Sequence, residues 1–206
     1  MLDQSLETFL DQLSSSEPTP GGGAAVGVVL GLGAALTSMV VQITLPKEAH
    51  QRDKAWLMDI LERAEALRVS ATQAAQDDEV AFASLMDAYR MSNEDQQAKQ
   101  QAVQEGLAAA SRPPLESARL AAQLATLCDE LAGRSSRGVA SDVEVAAHLS
   151  LAAVRSAAAN VAINTASIDD ETVRQSIDQQ LSEHVDHVET TILRVLTRLE
   201  EESHDH

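Results

Sequence analysis

The most unusual polar residues of this chain are Asn160 and Asn164, which lie four positions apart in a run of Ala, Val and Ile. That spacing places both amides on one face of a helix. A buried amide is costly unless it is hydrogen-bonded. The pair therefore either binds the polar edge of a planar ligand or joins helices across the core, and the sequence alone leaves both interpretations open.

Other groups can hold a charged or aromatic ligand. Gly21, Gly22 and Gly23 expose backbone N–H groups where a helix is expected to begin, which suits a carboxylate, although tight packing also explains the triplet. Asp78 and Phe82, one turn apart, can place a carboxylate and a ring in one pocket, although Phe82 alone is typical of a core. Five basic residues are candidates for holding an anion, and most are expected to be solvated at the surface: Lys47, Arg52, Lys54, Arg134 and Arg137.

Several residues with chemical potential have simpler explanations. His184 and His187 share a helix face, and "HDH" ends the chain, but acidic, exposed surroundings and a frayed terminus disfavour a metal site, so we expect none. Cys128 in "LATLCDEL" is typical of a small buried apolar residue. Asp142, near the start of an expected helix, suits the helix dipole whatever the function.

Composition predicts that helices position these groups. Aromatic residues make up 2% of the 206 residues, and alanine is abundant, which disfavours strands and suits closely packed helices. We expect one domain over residues 1–206, all-α, with seven or eight helices in a bundle. The two longest Ala- and Gly-rich helices should be central. Because an alanine-lined core buries little area per residue, we also expect a homodimer.

The N-terminal part predicts two helices. The first is short and amphipathic and ends near residues 14–17, with apolar positions at Leu2, Leu6, Phe9, Leu10 and Leu13. The second carries no charge, with Thr19 as its N-cap and Pro20 as its first residue, and it runs to about Thr44. Within it Gly23, Gly27, Gly31 and then Ala35 recur every four residues and predict a stripe without side chains that packs closely against another helix, in the same chain or in a second subunit.

The remainder predicts amphipathic helices separated by caps and prolines. A charged amphipathic region begins near Glu48, and Ser92 is expected to cap a polar helix that stops before Pro113 and Pro114. The next helix is expected over 115–131, followed by a loop. Ser141 with Glu144 fits a capping box opening a long Ala-rich helix that reaches about residue 167. A last helix is expected over 169–202.

Charge and cysteine content limit the function classes. A formal charge of -17 repels phosphate backbones and anionic lipid, so we expect no nucleic-acid partner. A single cysteine excludes an intrachain disulfide and fits a reducing, cytoplasmic compartment. The acidic N-terminus predicts no secretory signal. Residues 18–46 are long enough to span a bilayer but lack aromatic belts and basic flanks, so we expect a buried helix and no membrane partner.

Four segments in this order resemble one family. They are "PTPGGGAAVGVVLGLGAALTSMV" at 18–40, "DDEVAFASLMDAYRM" at 77–91, "RPPLESA" at 112–118 and "SDVEVAAHLSLAAVRSAAANVAINTASIDD" at 141–170. Together they are similar to the formiminotetrahydrofolate cyclodeaminase family, which includes bacterial methenyltetrahydrofolate cyclohydrolases. The first and last segments are the specific ones.

The resemblance implies an all-helical homodimer that takes a tetrahydrofolate derivative as substrate, with no metal and no tightly bound cofactor. Cyclodeamination of 5-formiminotetrahydrofolate to the 5,10-methenyl form, with release of ammonia, is the first expectation, and hydrolysis of the methenyl bridge is the alternative. Either reaction needs groups that take and give protons. Asp142 and His148 are the candidates for that role, and the substrate-binding candidates are Gly21, Gly22, Gly23, Asp78, Ser141, Asn160, Asn164 and Lys47.

Two features keep other interpretations open. Asp142 and Asn160 share a helix face but stand about 27 Å apart along it, so they line opposite ends of a groove unless a dimer brings each beside its partner's counterpart. The chain also departs from the family pattern at "LPKEAHQRDK", which lacks an expected tyrosine, and at "GRSSRGVA", which lacks an expected asparagine. A non-catalytic helical dimer or folate-binding module is therefore the alternative from another class.

Overall fold

The computed structural model describes residues 4–204, apart from the side chains at 48–50 and 203. The described residues form seven α-helices and no strand, which confirms the predicted all-α bundle: α1 Leu6–Leu13, α2 Gly22–Thr44, α3 Lys54–Arg90, α4 Gln96–Ala110, α5 Arg112–Leu131, α6 Ala140–Thr165 and α7 Glu171–His204. Short 3-10 segments lie at Glu48–Asp53 and Arg137–Val139. Leu2, expected in the first helix, and the last two residues of "HDH" lie outside the described part.

The main core lies where α2 contacts α3, α5 and α6. It is filled by fully buried aliphatic side chains such as Leu30, Val41, Ile60 and Leu124, with alanines between them. α2 and α6 are therefore central, as their apolar composition predicts. A smaller cluster, formed by Leu85, Leu107, Ala110 and Ile168, lies at the end of the bundle where α2 begins.

Only the first half of the expected four-residue stripe on α2 packs against a helix of the same chain, and packing of the second half against a second subunit stays a prediction. Gly23 and Gly27 meet α3, whereas an added Cβ at Gly31 would meet nothing within 4 Å, and Ala35 is exposed. Each step of four residues turns about 40° around an α-helix, so the later positions rotate away from α3. The close contact between α2 and α5 is instead made by Gly33, against Leu124.

The starts of helices α2 and α6 differ from expectation. α2 begins at Gly22, not at Pro20, because Gly21 is extended (φ -125°, ψ -152°) and its carbonyl accepts the bond from Ala25 N. The Ser141 capping box does not form. Because the 3-10 turn leads directly into α6 with Val139 as N-cap, Ser141 already lies inside the first helical turn.

Two boundaries in the middle of the chain also differ. The N-cap of α4 is Asp95, whose carboxylate accepts from Ala98 N at 2.9 Å, and not Ser92. α4 ends before the prolines as predicted. α5 nevertheless starts at Arg112 and not at 115, since both prolines occupy its first turn, where a helix needs no N–H donor.

Two segments of the described chain, Gly22–Thr44 and Arg137–Thr165, are long and apolar enough to cross a membrane by length and composition. In the first segment, 56% of the most apolar 18-residue stretch is buried inside the protein. A core helix of a soluble protein passes the same test, and α2 has the contacts of a core helix. The absence of a membrane partner stays a prediction.

Candidate active site at the start of the second helix

A cavity of about 190 Å³ lies where the start of α2 faces α3 and the end of α6. It is lined by six of the residues that the sequence names as substrate-binding candidates: Gly21, Gly22, Gly23, Asp78, Asn160 and Asn164. Phe82 lines the same cavity, one turn after Asp78. Residues from three distant parts of the sequence therefore share one site, and their role in binding stays a prediction.

The close approach of α2 and α3 positions the Asp78 carboxyl group. A Cβ added at Gly23 would lie within 2.6 Å of all three atoms of that group, so the carboxyl occupies space that any side chain at position 23 would fill. One turn later, a Cβ at Gly27 would lie 2.6 Å from Ala75 Cβ and 2.8 Å from Ala71 O. Two bare positions thus bring α3 against α2 and place the carboxyl at the first turn of α2.

The two amides of α6 have different contacts. Asn164 Nδ2 donates to Ala110 O at 2.8 Å and so ties the end of α6 to the end of α4. The Asn160 amide lies against Gly22, where an added Cβ would be 3.2 Å from its Oδ1. No hydrogen bond joins the Asn160 amide to another of the described residues, so its donor and acceptor are available to a ligand in the cavity. Of the two interpretations that the sequence left open, helix joining applies to Asn164, and ligand binding fits Asn160.

The protonation of Asp78 differs from that of a surface carboxyl. Burial raises the pKa of Asp78 above its usual value, and the negative charge of neighbouring Glu79 raises it further. Both carboxyl groups line the cavity. The site therefore contains an acid that retains its proton to a higher pH than a solvated aspartate would.

Sequence reasoning did not single out Glu79 or Ile163, which also line the cavity. Glu79 directly follows Asp78 in the sequence, so the choice of Asp78 as a candidate already pointed to this part of the chain. Ile163 is 73% exposed beside Asn164, and nothing in the sequence distinguishes it from the other apolar residues of that run. Ala110 could not have been found from sequence, since only its carbonyl oxygen makes the contact to Asn164.

Three predicted residues of α6 do not line this cavity. Ser141, Asp142 and His148 lie toward the opposite end of the helix, and Asp142 is about 27 Å from Asn160 along the axis. His148 is exposed, and its Nε2 lies 3.8 Å from Glu144 Oε1. Within one chain, Asp142 and His148 therefore cannot act on a ligand held in the cavity.

The basic candidates also lie at that opposite end. Lys47 follows the C-terminal end of α2, about 35 Å along the helix from its first residue. The Arg134 guanidinium stacks over the Trp56 ring at 3.6 Å and lies 3.6 Å from Asp53 Oδ1. The remaining basic candidates belong to the same region: Arg52, Lys54 and Arg137.

Larger cavities, of about 350 Å³ each, lie between α3 and α5 and between α5 and α7. Their guanidinium groups already have acidic partners. Arg63 donates to Glu130 at 2.6 Å and to Asp59 at 3.0 Å, and Arg119 donates to Glu116 at 2.6 Å. We therefore do not place the site there, since these cations are neutralised by protein carboxylates.

Cys128 is buried as its sequence context predicts, whereas the absence of a metal site at the histidines stays a prediction. His187 Nε2 lies 3.0 Å from Thr126 Oγ1, and burial followed by the charge of Arg119 lowers the pKa of His184. Among residues 4–204 no group of three or more His, Cys, Asp or Glu side chains is arranged to hold a metal ion. Cys128 is buried, and burial raises the pKa of its thiol to about 12, as for an inert core residue.

Comparison with known proteins identifies relatives in the family that the sequence segments resemble. The family model described as formiminotransferase-cyclodeaminase matches residues 5–183. A methenyltetrahydrofolate cyclohydrolase from Methylorubrum extorquens is 38% identical over 171 residues, which is 82% of each chain. A formimidoyltransferase-cyclodeaminase from Mus musculus is 30% identical over 97% of this chain, which spans only 38% of that protein.

The fold has a close counterpart among solved structures. The crystal structure of formiminotetrahydrofolate cyclodeaminase from Thermotoga maritima superposes with a TM-score of 0.90 and 32% identity over 96% of both chains. All these relatives are named as enzymes. The resemblance found in the four sequence segments is confirmed, and the chain belongs to the formiminotransferase-cyclodeaminase family.

Proposed function

We propose that this protein binds a tetrahydrofolate one-carbon derivative at the cavity and closes or opens the bridge between N5 and N10. The observation that carries the proposal is the convergence of Asp78, Asn160 and the glycine turn of α2 on one cavity, in a chain of this family. A carboxyl group can move the protons that bridge chemistry requires, and an amide can hold the edge of the pterin.

The cavity has room for only part of such a ligand. At about 190 Å³ it is smaller than pockets that enclose drug-sized molecules, which hold roughly 300–1,000 Å³. A second groove of about 300 Å³ lies between α2 and α6 and shares Gly22 and Asn160 with it. The reacting end of the folate then sits in the cavity, and the rest of the molecule extends along the groove.

Deamination of 5-formiminotetrahydrofolate is the first candidate reaction, because the named cyclodeaminase structure matches over 96% of both chains. Hydrolysis of the methenyl bridge is the second candidate, because the cyclohydrolase relative is 38% identical. Both reactions make or break a bond at the same carbon atom, so one site serves either.

We also propose that the protein acts as a homodimer in the cytoplasm. Apolar side chains are exposed on the outer faces of α2 and α6, among them Leu32, Met39, Ile43, Val145 and Ile163. α2 carries no charged residue between Gly22 and Thr44, so a second copy can cover this face without desolvating ions. The buried, unpaired Cys128 supports a reducing compartment.

An antiparallel dimer would bring Asp142 of one protomer to the cavity of the other and so form a composite site from both subunits. A two-fold axis near Leu151 places Asp142 of the partner subunit opposite Asn160, since Leu151 is the midpoint between those positions. The same axis brings the basic end of one protomer toward the acidic cavity of the other. Light scattering of the purified protein is expected to give twice the chain mass, and a monomer mass at micromolar concentration would refute this arrangement.

The activity is tested with each folate separately. With 5-formiminotetrahydrofolate, deamination is expected to raise the methenyl absorbance with release of one ammonia per turnover. With 5,10-methenyltetrahydrofolate, hydrolysis is expected to lower the same absorbance faster than the uncatalysed reaction. Activity with one substrate assigns the reaction, whereas no activity with either would reject the enzyme and support the non-catalytic folate-binding module.

A further inference from the structure

The lining of the cavity at the start of α2 has an unbalanced charge. Among the described residues that line it, Asp78 and Glu79 are acidic, and none is lysine, arginine or histidine. Because no basic side chain of the lining offsets these carboxyl groups, the cavity favours a positively charged ligand over a neutral or negative one. The formal charge of -17 on the whole chain acts in the same direction.

Glu79 differs from several acidic residues of α3 because it lacks a basic partner. Asp59 pairs with Arg63 and Glu65 with Arg68, three or four residues further along the helix. The corresponding positions after Glu79 are a phenylalanine and an alanine. Glu79 is half-buried and has no hydrogen bond or ion pair to another of the described residues. Its carboxylate is therefore available to a ligand in the cavity.

The other carboxyl group of the lining, that of Asp78, carries less of the negative charge. Burial raises the pKa of Asp78, and the charge of Glu79 raises it further, so the neutral form of Asp78 is favoured. The Asp78 carboxyl is also packed into the space beside Gly23. Glu79 is therefore the residue whose charge a bound cation meets.

The candidate folates differ in the charge of their one-carbon group. The formimino group at N5 is an amidine, which is protonated and positively charged near neutral pH. The methenyl bridge is also a cation, with its charge shared between N5 and N10. A formyl group on either nitrogen is neutral. An unpaired carboxylate at the cavity therefore binds the first two forms more tightly than the formyl form.

We propose that Glu79 is a specificity-determining residue, which selects the cationic formimino and methenyl forms of the folate over the neutral formyl form. The inference rests on the proposed function and deepens it, since it concerns the same cavity. In hydrolysis, a cationic substrate is then held while the neutral formyl product leaves more readily. In deamination, both the substrate and the methenyl product are cations, and both are held.

The test compares Glu79→Gln with two control variants. Glu62→Gln makes the same change of charge at an exposed glutamate of α3 that lies outside the cavity, about 25 Å along the helix from Glu79. Glu79→Asp keeps a carboxylate at the cavity. KM and kcat are measured with whichever cationic folate the protein turns over. The inhibition constant is measured with 5-formyltetrahydrofolate, which is the neutral probe.

Glu79→Gln is expected to raise KM for the cationic folate by roughly 10–100-fold, because a charge-assisted contact is lost. The change in kcat should be smaller, since the contact is made to the bound substrate before the reaction begins. The inhibition constant of the neutral probe should stay within about threefold, and so should KM in both control variants.

Three results would overturn the role of Glu79 and leave the proposed function standing. The first is a KM of Glu79→Gln within about threefold of the unsubstituted protein. The second is an equal weakening of the neutral probe, because Glu79 would then act through shape and not through charge. The third is an equal rise of KM in Glu62→Gln, because the overall charge would then be responsible. No turnover of either cationic folate by the unsubstituted protein would overturn both proposals.

Discussion

Replacing Gly23 with alanine tests whether the missing side chain at this position of α2 determines where the Asp78 carboxyl group lies. The added Cβ would lie within 2.6 Å of the three carboxyl atoms, whereas ordinary van der Waals contact begins near 3.4 Å. The nearest carboxyl oxygen would be only 2.0 Å away, so the carboxyl group must retreat by about 1.4 Å. A misplacement of this size at a reacting centre costs on the order of 100-fold in rate, which corresponds to about 2.7 kcal/mol in the activation barrier.

Folding should change less than activity. Alanine is better than glycine inside a helix by about 1 kcal/mol, which offsets part of the cost of moving the carboxyl group. Gly31→Ala is the matched control, since it makes the same change in the same helix where nothing lies within 4 Å. It is expected to be slightly more stable than the unsubstituted protein and fully active.

The assay is kcat/KM with the preferred folate, together with thermal unfolding of both variants. We expect Gly23→Ala to lose about 100-fold in kcat/KM while remaining folded. Full activity of Gly23→Ala with an unchanged pH–rate profile would refute the reasoning, because the carboxyl position would then not matter. A similar loss in Gly31→Ala would refute it too, since helix rigidity alone would be responsible.

Three further predictions concern stability and assembly. Gly27→Ala is expected to destabilise the protein by roughly 1–3 kcal/mol in chemical denaturation, because the new methyl meets the Ala71 carbonyl and no flexible side chain can yield. Because the raised pKa of Asp78 favours its neutral form in the folded state, the stability it contributes is present below pH 3.8 and is lost as the pH rises through the folded pKa. Asp78→Asn should therefore unfold at a higher temperature than the unsubstituted protein at pH 7, with the difference disappearing near pH 3. Co-expression of Asp78→Asn with Asp142→Asn should restore about a quarter of the activity, because half of the dimers are mixed and each contains one intact composite site, whereas additive residual activities alone would refute that site.

The bundle could be predicted from sequence because its determinants are local. The charge-free α2 and the alanine-rich α6 contain periodic apolar residues over many turns, and such long patterns specify helices whatever surrounds them. Helix starts were less predictable. Ser141 has the right type and spacing for a cap, but the turn that precedes it makes Val139 the N-cap and so extends the helix by two residues. That turn depends on contacts such as the hydrogen bond from Ser136 N–H to Thr44 Oγ1 at 3.0 Å.

The site was predictable in part for a similar reason. The amides and glycines were visible as polar or bare positions in apolar helices, and family resemblance joined them to Asp78. Which glycine contacts which side chain depends on how two helices cross. The sequence therefore could not show that the Asp78 carboxyl packs against Gly23 while no atom lies within 4 Å of a Cβ added at Gly31. The distance between Asp142 and Asn160 could be predicted, by contrast, because eighteen residues of one helix span about 27 Å.

The most direct test of the account is a crystal structure with 5-formyltetrahydrofolate, a stable analogue whose formyl oxygen stands in for the formimino nitrogen. We expect the formyl group within hydrogen-bond distance of the Asp78 carboxyl and the pterin edge on the Asn160 amide, at the start of α2. Density for the ligand in the cavities between α3, α5 and α7, with the site at Gly23 unoccupied, would contradict the account.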